Sequence, residues 1–124
     1  MKKILLILPF AFALFICACG GNNEKKSESG DITQTDTYKN GLALVTKNKC
    51  LTCHAVSETI TGPPYMDISK KYGSYPDTIV SHLAHKIISG GNGVWGEIFM
   101  TPHPNVSEAD AEAMVKYILL LAKQ

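Results

Sequence analysis

The densest chemistry in this chain lies in five consecutive residues, Cys50-Leu51-Thr52-Cys53-His54. Two thiols and an imidazole spaced i, i+3 and i+4 share one face of a helical turn. Both sulfurs then reach one edge of a flat partner, while the ring of His54 turns a nitrogen toward the partner's centre. Any other spacing aims the ring away. The other two cysteines, Cys17 and Cys19, form a second close pair far upstream. A disulfide framework spreads cysteines so as to close loops, and neither pair does that.

Four chemistries compete for a C-x-x-C pair. A thioredoxin-like dithiol sits in a βαβ unit, and no such pattern surrounds these residues. A zinc site needs a fourth ligand and usually a second paired motif. His82 and His85 carry suitable nitrogens, but their spacing suits the outer face of a helix. A plain disulfide leaves His54 without a task. Covalent haem attachment uses all three side chains, with thioethers from Cys50 and Cys53 and an axial nitrogen from His54. The expectation is one haem c per chain.

A second axial ligand is then needed, and the candidates are Met66, Met100, Met114, His82, His85 and His103. Met114 falls on the apolar face of a helix and reads as core. Met66 follows Pro63-Pro64-Tyr65 too closely to cross a macrocycle. Met100 lies 46 residues after His54 within a stretch framed by glycine and proline. A loop of that length closes at little extra cost, because the penalty rises only logarithmically. His103, three residues on, is its rival.

The elements that must position these groups are helical. Tyr38 to about Cys50 shows helical spacing through Leu42 and Val45. Gly62-Pro63-Pro64 is a rigid turn. Asp67 to Tyr72 is a short helix stopped by Gly73, and Pro76 to Ser89 is another, stopped by Gly90 and Gly91. Asn92 to Asn105 reads as loop. Ser107 caps the clearest helix, which has acids in its first turn and apolar Ala111, Met114, Val115, Ile118 and Leu119 on one face. With no strand-like alternation, the class is all-α, four to five helices around the cofactor. The domain, residues 38–124, holds 87 residues, small enough to want a cofactor or staple in its core.

The N-terminus reads as an address. Lys2 and Lys3 precede an apolar run from Ile4 to Ile16, of signal-peptide length and short for a transmembrane helix. Ile16-Cys17-Ala18-Cys19-Gly20 resembles the lipobox of bacterial lipoproteins. Cys19 is the better lipidation site, because small Ala18 precedes it where bulky Ile16 precedes Cys17. The expectation is a leader over residues 1–18, a lipid on Cys19 and a polar, flexible tether over residues 19–37. Export also suits covalent haem at cysteine. The competing reading is an ordinary secreted protein.

Net charge is +1 for the whole chain. From Cys19 onward ten lysines face eleven acids, net −1. No basic stripe suggests nucleic acid as a partner. Every basic residue is lysine, so bidentate guanidinium recognition is excluded.

From Gly41 to Gln124 the chain resembles the short bacterial class I cytochromes c, single-haem electron carriers that serve nitrite reductases and terminal oxidases. The resemblance rests on Lys49-Cys50-Leu51-Thr52-Cys53-His54, on Gly62-Pro63-Pro64-Tyr65, and on Gly93-Val94-Trp95-Gly96-Glu97-Ile98-Phe99-Met100-Thr101-Pro102. The last stretch is close to the family's G-V-W-G-x-I-P-M-x-P ligand loop. The resemblance implies Met100 as the sixth ligand, well ahead of His103. It implies that the Pro63 carbonyl accepts the second ring N–H of His54, that the Trp95 indole donates to a haem propionate, and that Lys86 is a basic propionate partner. Two positions depart from the pattern. Phe99 replaces a common proline, and His103 stands where asparagine is frequent.

His/Met ligation fills both axial positions and leaves electron exchange as the only chemistry, so no enzyme activity is expected. The partners are then redox proteins of a respiratory chain and, through Cys19, the membrane of the cell envelope; the chain is expected to be a monomer. Lys47, Lys49, Lys70, Lys71 and Lys86 either ring the haem edge as a docking surface or simply aid solubility. Two other classes compete: a haem enzyme or gas sensor with a displaceable sixth ligand, and a redox-inert lipoprotein holding a disulfide.

Overall fold

The computed structural model describes residues 31–123. The expected leader, the lipidation at Cys19 and the tether up to residue 30 lie outside the described residues. Among those described, no helix is long and apolar enough to cross a membrane.

Helix α1 spans Asp36–Lys47. It opens two residues before Tyr38 because Thr35 caps it, its Oγ1 accepting from the Tyr38 amide at 3.2 Å. A single 3-10 turn, Ile32–Gln34, precedes it and is capped in turn by Asp31. The folded chain therefore reaches into the segment expected as tether. The helix also stops short of the expected Cys50, for a reason that belongs to the site below.

Helix α2 spans Tyr65–Tyr72, starting at Tyr65 instead of Asp67 because extended Pro64 takes the N-cap position. Helix α3 spans Thr78–Ser89. Pro76 and Asp77, expected inside it, instead form a tighter lead-in, with the Ile79 and Val80 amides bonded to the carbonyls three residues back. Helix α4 spans Glu108–Leu120, and Ser107 Oγ accepts from the Asp110 amide at 3.1 Å, as its sequence suggested.

Helix α4 is the hub. Its Ala111, Met114, Val115, Tyr117 and Ile118 are buried, and α1, α2 and α3 all pack on it. The α1–α4 crossing is close because Gly41 has no side chain: a Cβ there would overlap Tyr117 Cβ and stand 2.8 Å from the Ala113 carbonyl oxygen. Ser69, 1% exposed, ties α2 to the end of the chain. Its hydroxyl donates to the Leu119 carbonyl at 2.9 Å and accepts from the Ala122 amide at 3.0 Å. Both halves of a buried hydroxyl are thus satisfied.

The stretch expected as loop contains a two-stranded antiparallel ribbon, β1 (Gly91–Gly93) and β2 (Gly96–Met100), pairing Gly91 with Met100 and Gly93 with Gly96. Val94 and Trp95 form its tip. Gly90, Gly91, Gly93 and Gly96 all have positive φ, which only glycine adopts without strain. Apolar alternation did not mark these strands, because β1 is Gly-Asn-Gly and backbone freedom shapes it. The fold remains mainly helical.

Gly41→Ala is expected to destabilise the protein by about 1–3 kcal/mol through overpacking, despite roughly 1 kcal/mol of gained helix propensity. The denaturant midpoint measures this, and an unchanged or raised midpoint would mean that the crossing relaxes freely.

Candidate cofactor site

The site begins with a break. Asn48 ends α1, and Lys49 adopts φ 57°, ψ 26°, the chain's one left-handed non-glycine residue among those described. That reversal stops α1 and starts a new 3-10 turn, Cys50–Thr52. The amides of Cys53 and His54 both bond to the Cys50 carbonyl, at 3.2 and 3.1 Å. Cys50, Cys53 and His54 are thereby gathered on one tight turn, and neither thiol is in a disulfide. Cys53 is exposed and Cys50 half-buried, and burial pushes the Cys50 thiol above its ordinary value.

The loop that follows folds back onto this turn. Gly62 N donates to the Cys53 carbonyl at 2.8 Å, Tyr65 N to Ala55 at 3.0 Å and Met66 N to Val56 at 2.9 Å. The result places the Pro63 carbonyl 2.8 Å from His54 Nδ1. A carbonyl oxygen only accepts, so Nδ1 carries the hydrogen and Nε2 keeps a free lone pair. That is the tautomer a metal-binding histidine needs.

His54 is 9% exposed, so the ring is held by protein on most sides. A Cβ on Gly62 would stand 2.5 Å from His54 Cε1, which is why no side chain is tolerated there. Tyr65 stacks on the imidazole, with ring centroids 5.5 Å apart and planes 15° from parallel. Neither neighbour was singled out for this role by spacing alone. The signal in the sequence is Gly62-Pro63-Pro64-Tyr65, where a glycine and an aromatic bracket the two prolines.

The remaining candidates lie on the ribbon and on α3. Met100 ends β2 and is half-buried, while Met114 is fully buried and Met66 packs against the core. Lys86 Nζ reaches the Asn92 carbonyl at 3.5 Å, bracing the start of the ribbon. Trp95, 44% exposed, lies edge-on to Tyr72 at 6.5 Å, with the Lys71 ammonium 5.8 Å above its ring. His82 and His85 are exposed on α3, and His85 meets Ser89 Oγ at 3.1 Å. The backbone amide of His103 bonds to the end of α3, at the Ile87 and Ile88 carbonyls. No hydrogen bond joins the ribbon to the Cys50–His54 turn among the described residues.

The donor set fits a haem. Two unpaired thiols three residues apart and an imidazole with a free Nε2 match the porphyrin's edge and centre. The ribbon supplies apolar surface for a flat macrocycle, because Val94, Ile98 and Phe99 are each more than 60% exposed. Among the described residues no three His, Cys, Asp or Glu gather as a metal-ion cluster, which leaves the zinc reading without support.

A mostly helical fold with this turn and this glycine-rich ribbon defines a class I cytochrome c. The family model described as Cytochrome c matches residues 38–122, and the chain belongs to that family. Cytochrome c-552 of Nitrosomonas europaea is 46% identical over 78 residues, covering 63% of this chain and 75% of that protein. Cytochrome c-552 of Hydrogenobacter thermophilus is 41% identical over 76 residues, 61% of this chain and 76% of that one. The crystal structure of the wild-type Nitrosomonas europaea cytochrome c552 superposes with a TM-score of 0.60 at 45% identity, covering 64% of this chain and 98% of that chain. The class 1 cytochrome MtoD of Sideroxydans lithotrophicus matches with a TM-score of 0.57 at 25% identity, over 68% and 95%. The protein is therefore a haem-based electron carrier with one covalently attached haem c.

The left-handed Lys49 carries backbone strain that glycine would relieve. Lys49→Gly is expected to raise stability by up to about 1 kcal/mol, whereas Lys49→Ala stays near wild type. Thermal midpoints of the two variants separate these outcomes, and a lower midpoint for Lys49→Gly than for Lys49→Ala would refute the strain.

Proposed function

We propose that this cytochrome exchanges single electrons through a haem held by thioethers from Cys50 and Cys53 and ligated by His54 and Met100. The carrying observation is the 2.8 Å contact between His54 Nδ1 and the Pro63 carbonyl, which leaves Nε2 free on the turn that also carries the two thiols. The haem, when bound, supplies the one-electron Fe(III)/Fe(II) couple. The chain's residues then tune and protect it.

His54 donates Nδ1–H to Pro63, which raises the basicity of its metal-facing nitrogen and fixes the ring. Met100 offers a soft thioether, which would favour the reduced state of a haem it held together with His54. Met66 and Met114 are engaged by the core, which supports Met100 as the methionine that serves the metal. Were His54 and Met100 both to hold the iron, no position would be left for a substrate, and the protein would act as a carrier instead of an enzyme. Trp95 and Lys86 stand as donors for the haem propionates: the indole lies at the ribbon's tip, and the ammonium reaches along the ribbon's first strand.

The location we infer is the cell envelope, with the domain held at a membrane by lipid on Cys19 and serving redox partners of a respiratory chain as a monomer. The lipobox-like Ile16-Cys17-Ala18-Cys19 and the polar residues after it support this reading. Lys47, Lys49, Lys70, Lys71 and Lys86 are all exposed and supply a positive surface for an acidic partner.

Oxidised and reduced visible spectra of the wild type, Met100→Ala and His103→Ala test the ligand set. The wild type and His103→Ala are expected to show the thioether-to-iron band at the red end of the oxidised spectrum. Met100→Ala is expected to lose it and to fall in potential. An unchanged Met100→Ala spectrum would move the sixth ligand elsewhere. Binding of carbon monoxide by the reduced wild type would favour a sensor.

A further inference from the structure

His54 is held by more than its hydrogen bond. Rotation about the bond from Cβ to an aromatic ring is soft. One contact at Nδ1 fixes a pivot but still lets the ring rock about it. The structure places a second planar group against the imidazole, the ring of Tyr65, nearly parallel to it. Tyr65 is itself 2% exposed and cannot tilt freely. It meets Tyr117 edge-on, at 6.4 Å and 87°, and Tyr117 meets Tyr38 edge-on, at 5.1 Å and 77°. Tyr117 is fully buried where α1 and α4 cross, pressed against the bare backbone of Gly41. A column of three aromatic rings thus runs from the helix crossing to the imidazole. The Tyr65 amide is bonded to Ala55, the residue after His54, so the two ends of the stack share a backbone tie.

We propose that Tyr65 is a positioning residue that sets the plane of the His54 imidazole, and that Tyr117 transmits the α1–α4 crossing to it. This rests on the reading of His54 as an axial ligand. The orientation of an axial imidazole selects which iron orbital holds the unpaired electron of the ferric state. It therefore sets how spin spreads over the macrocycle. A residue that only filled space would affect stability and leave that distribution alone.

The test is proton NMR of the ferric holoprotein, reading the order and spread of the paramagnetically shifted haem-methyl resonances. Tyr65→Phe keeps the stack and is expected to keep the wild-type order. Tyr65→Leu removes it and is expected to change the order and narrow or widen the spread, with a fall in potential as water gains access to the ring. Val115→Ala, a buried change in α4 that leaves all three rings in place, is the stability control and is expected to lower the thermal midpoint without altering the pattern. Retention of the wild-type order in Tyr65→Leu would overturn the proposal. If Tyr65→Leu yields no folded protein, Tyr117→Leu takes its place, with a changed order expected and an unchanged one overturning it. His54→Ala separates the two levels of the argument. A low-spin spectrum unaffected by that change would remove the ligand reading itself, whereas its loss alongside an unchanged Tyr65→Leu pattern would remove only the positioning role.

Discussion

A histidine offered to a metal must present one nitrogen and surrender the other, and here the surrender is made to the Pro63 carbonyl. That oxygen can only accept, so the contact decides the tautomer. It also uses a backbone group that would otherwise be left in a half-buried loop without a partner, at a cost of about 1–3 kcal/mol. The carbonyl cannot swing away, because prolines 63 and 64 restrict the chain and the amides of Gly62, Tyr65 and Met66 are tied back to the Cys53–Val56 segment. A single contact thus sets both the chemistry of Nε2 and the shape of the loop around it.

The rest of the fold brings two pieces of chain to opposite jobs. Helices α1, α2 and α4 hold the attachment turn from behind, through Val45, Tyr65 and Tyr117. Helix α3 carries the ribbon: its end is bonded to His103, Gly90 stands against the Met100 carbonyl, and Lys86 reaches Asn92. The turn buries its histidine and is tied by backbone hydrogen bonds to the loop behind it, while the ribbon is glycine-rich and exposed. This division suits a carrier that binds its haem covalently at the turn.

The helices were legible because amphipathic spacing and caps leave local marks. Ser107 before acidic residues and Gly73 after Tyr72 located ends within a residue or so. The attachment turn was legible because its spacing is itself the geometry. Other features left no such mark. The ribbon is made of Gly-Asn-Gly against a short apolar strand, so its pairing comes from positive-φ glycines and not from alternation. The left-handed Lys49 is invisible in a residue that usually favours helix, and it moved the end of α1 back to Lys47. Tyr65 on His54 joins residues eleven apart through a loop whose path only the tertiary structure supplies. The role proposed for Met100 rests on likeness to a family loop, since composition and spacing leave His103 open.

The central claim is that a haem is bonded covalently to the turn carrying Cys50, Cys53 and His54. Mass spectrometry of the protein, matured in a host with haem-attachment machinery and then denatured and cleaved, tests it most directly. The account expects the peptide spanning residues 50–54 to carry one haem through both sulfurs. A peptide of unmodified mass, with Cys50 and Cys53 free or joined to each other, would contradict it.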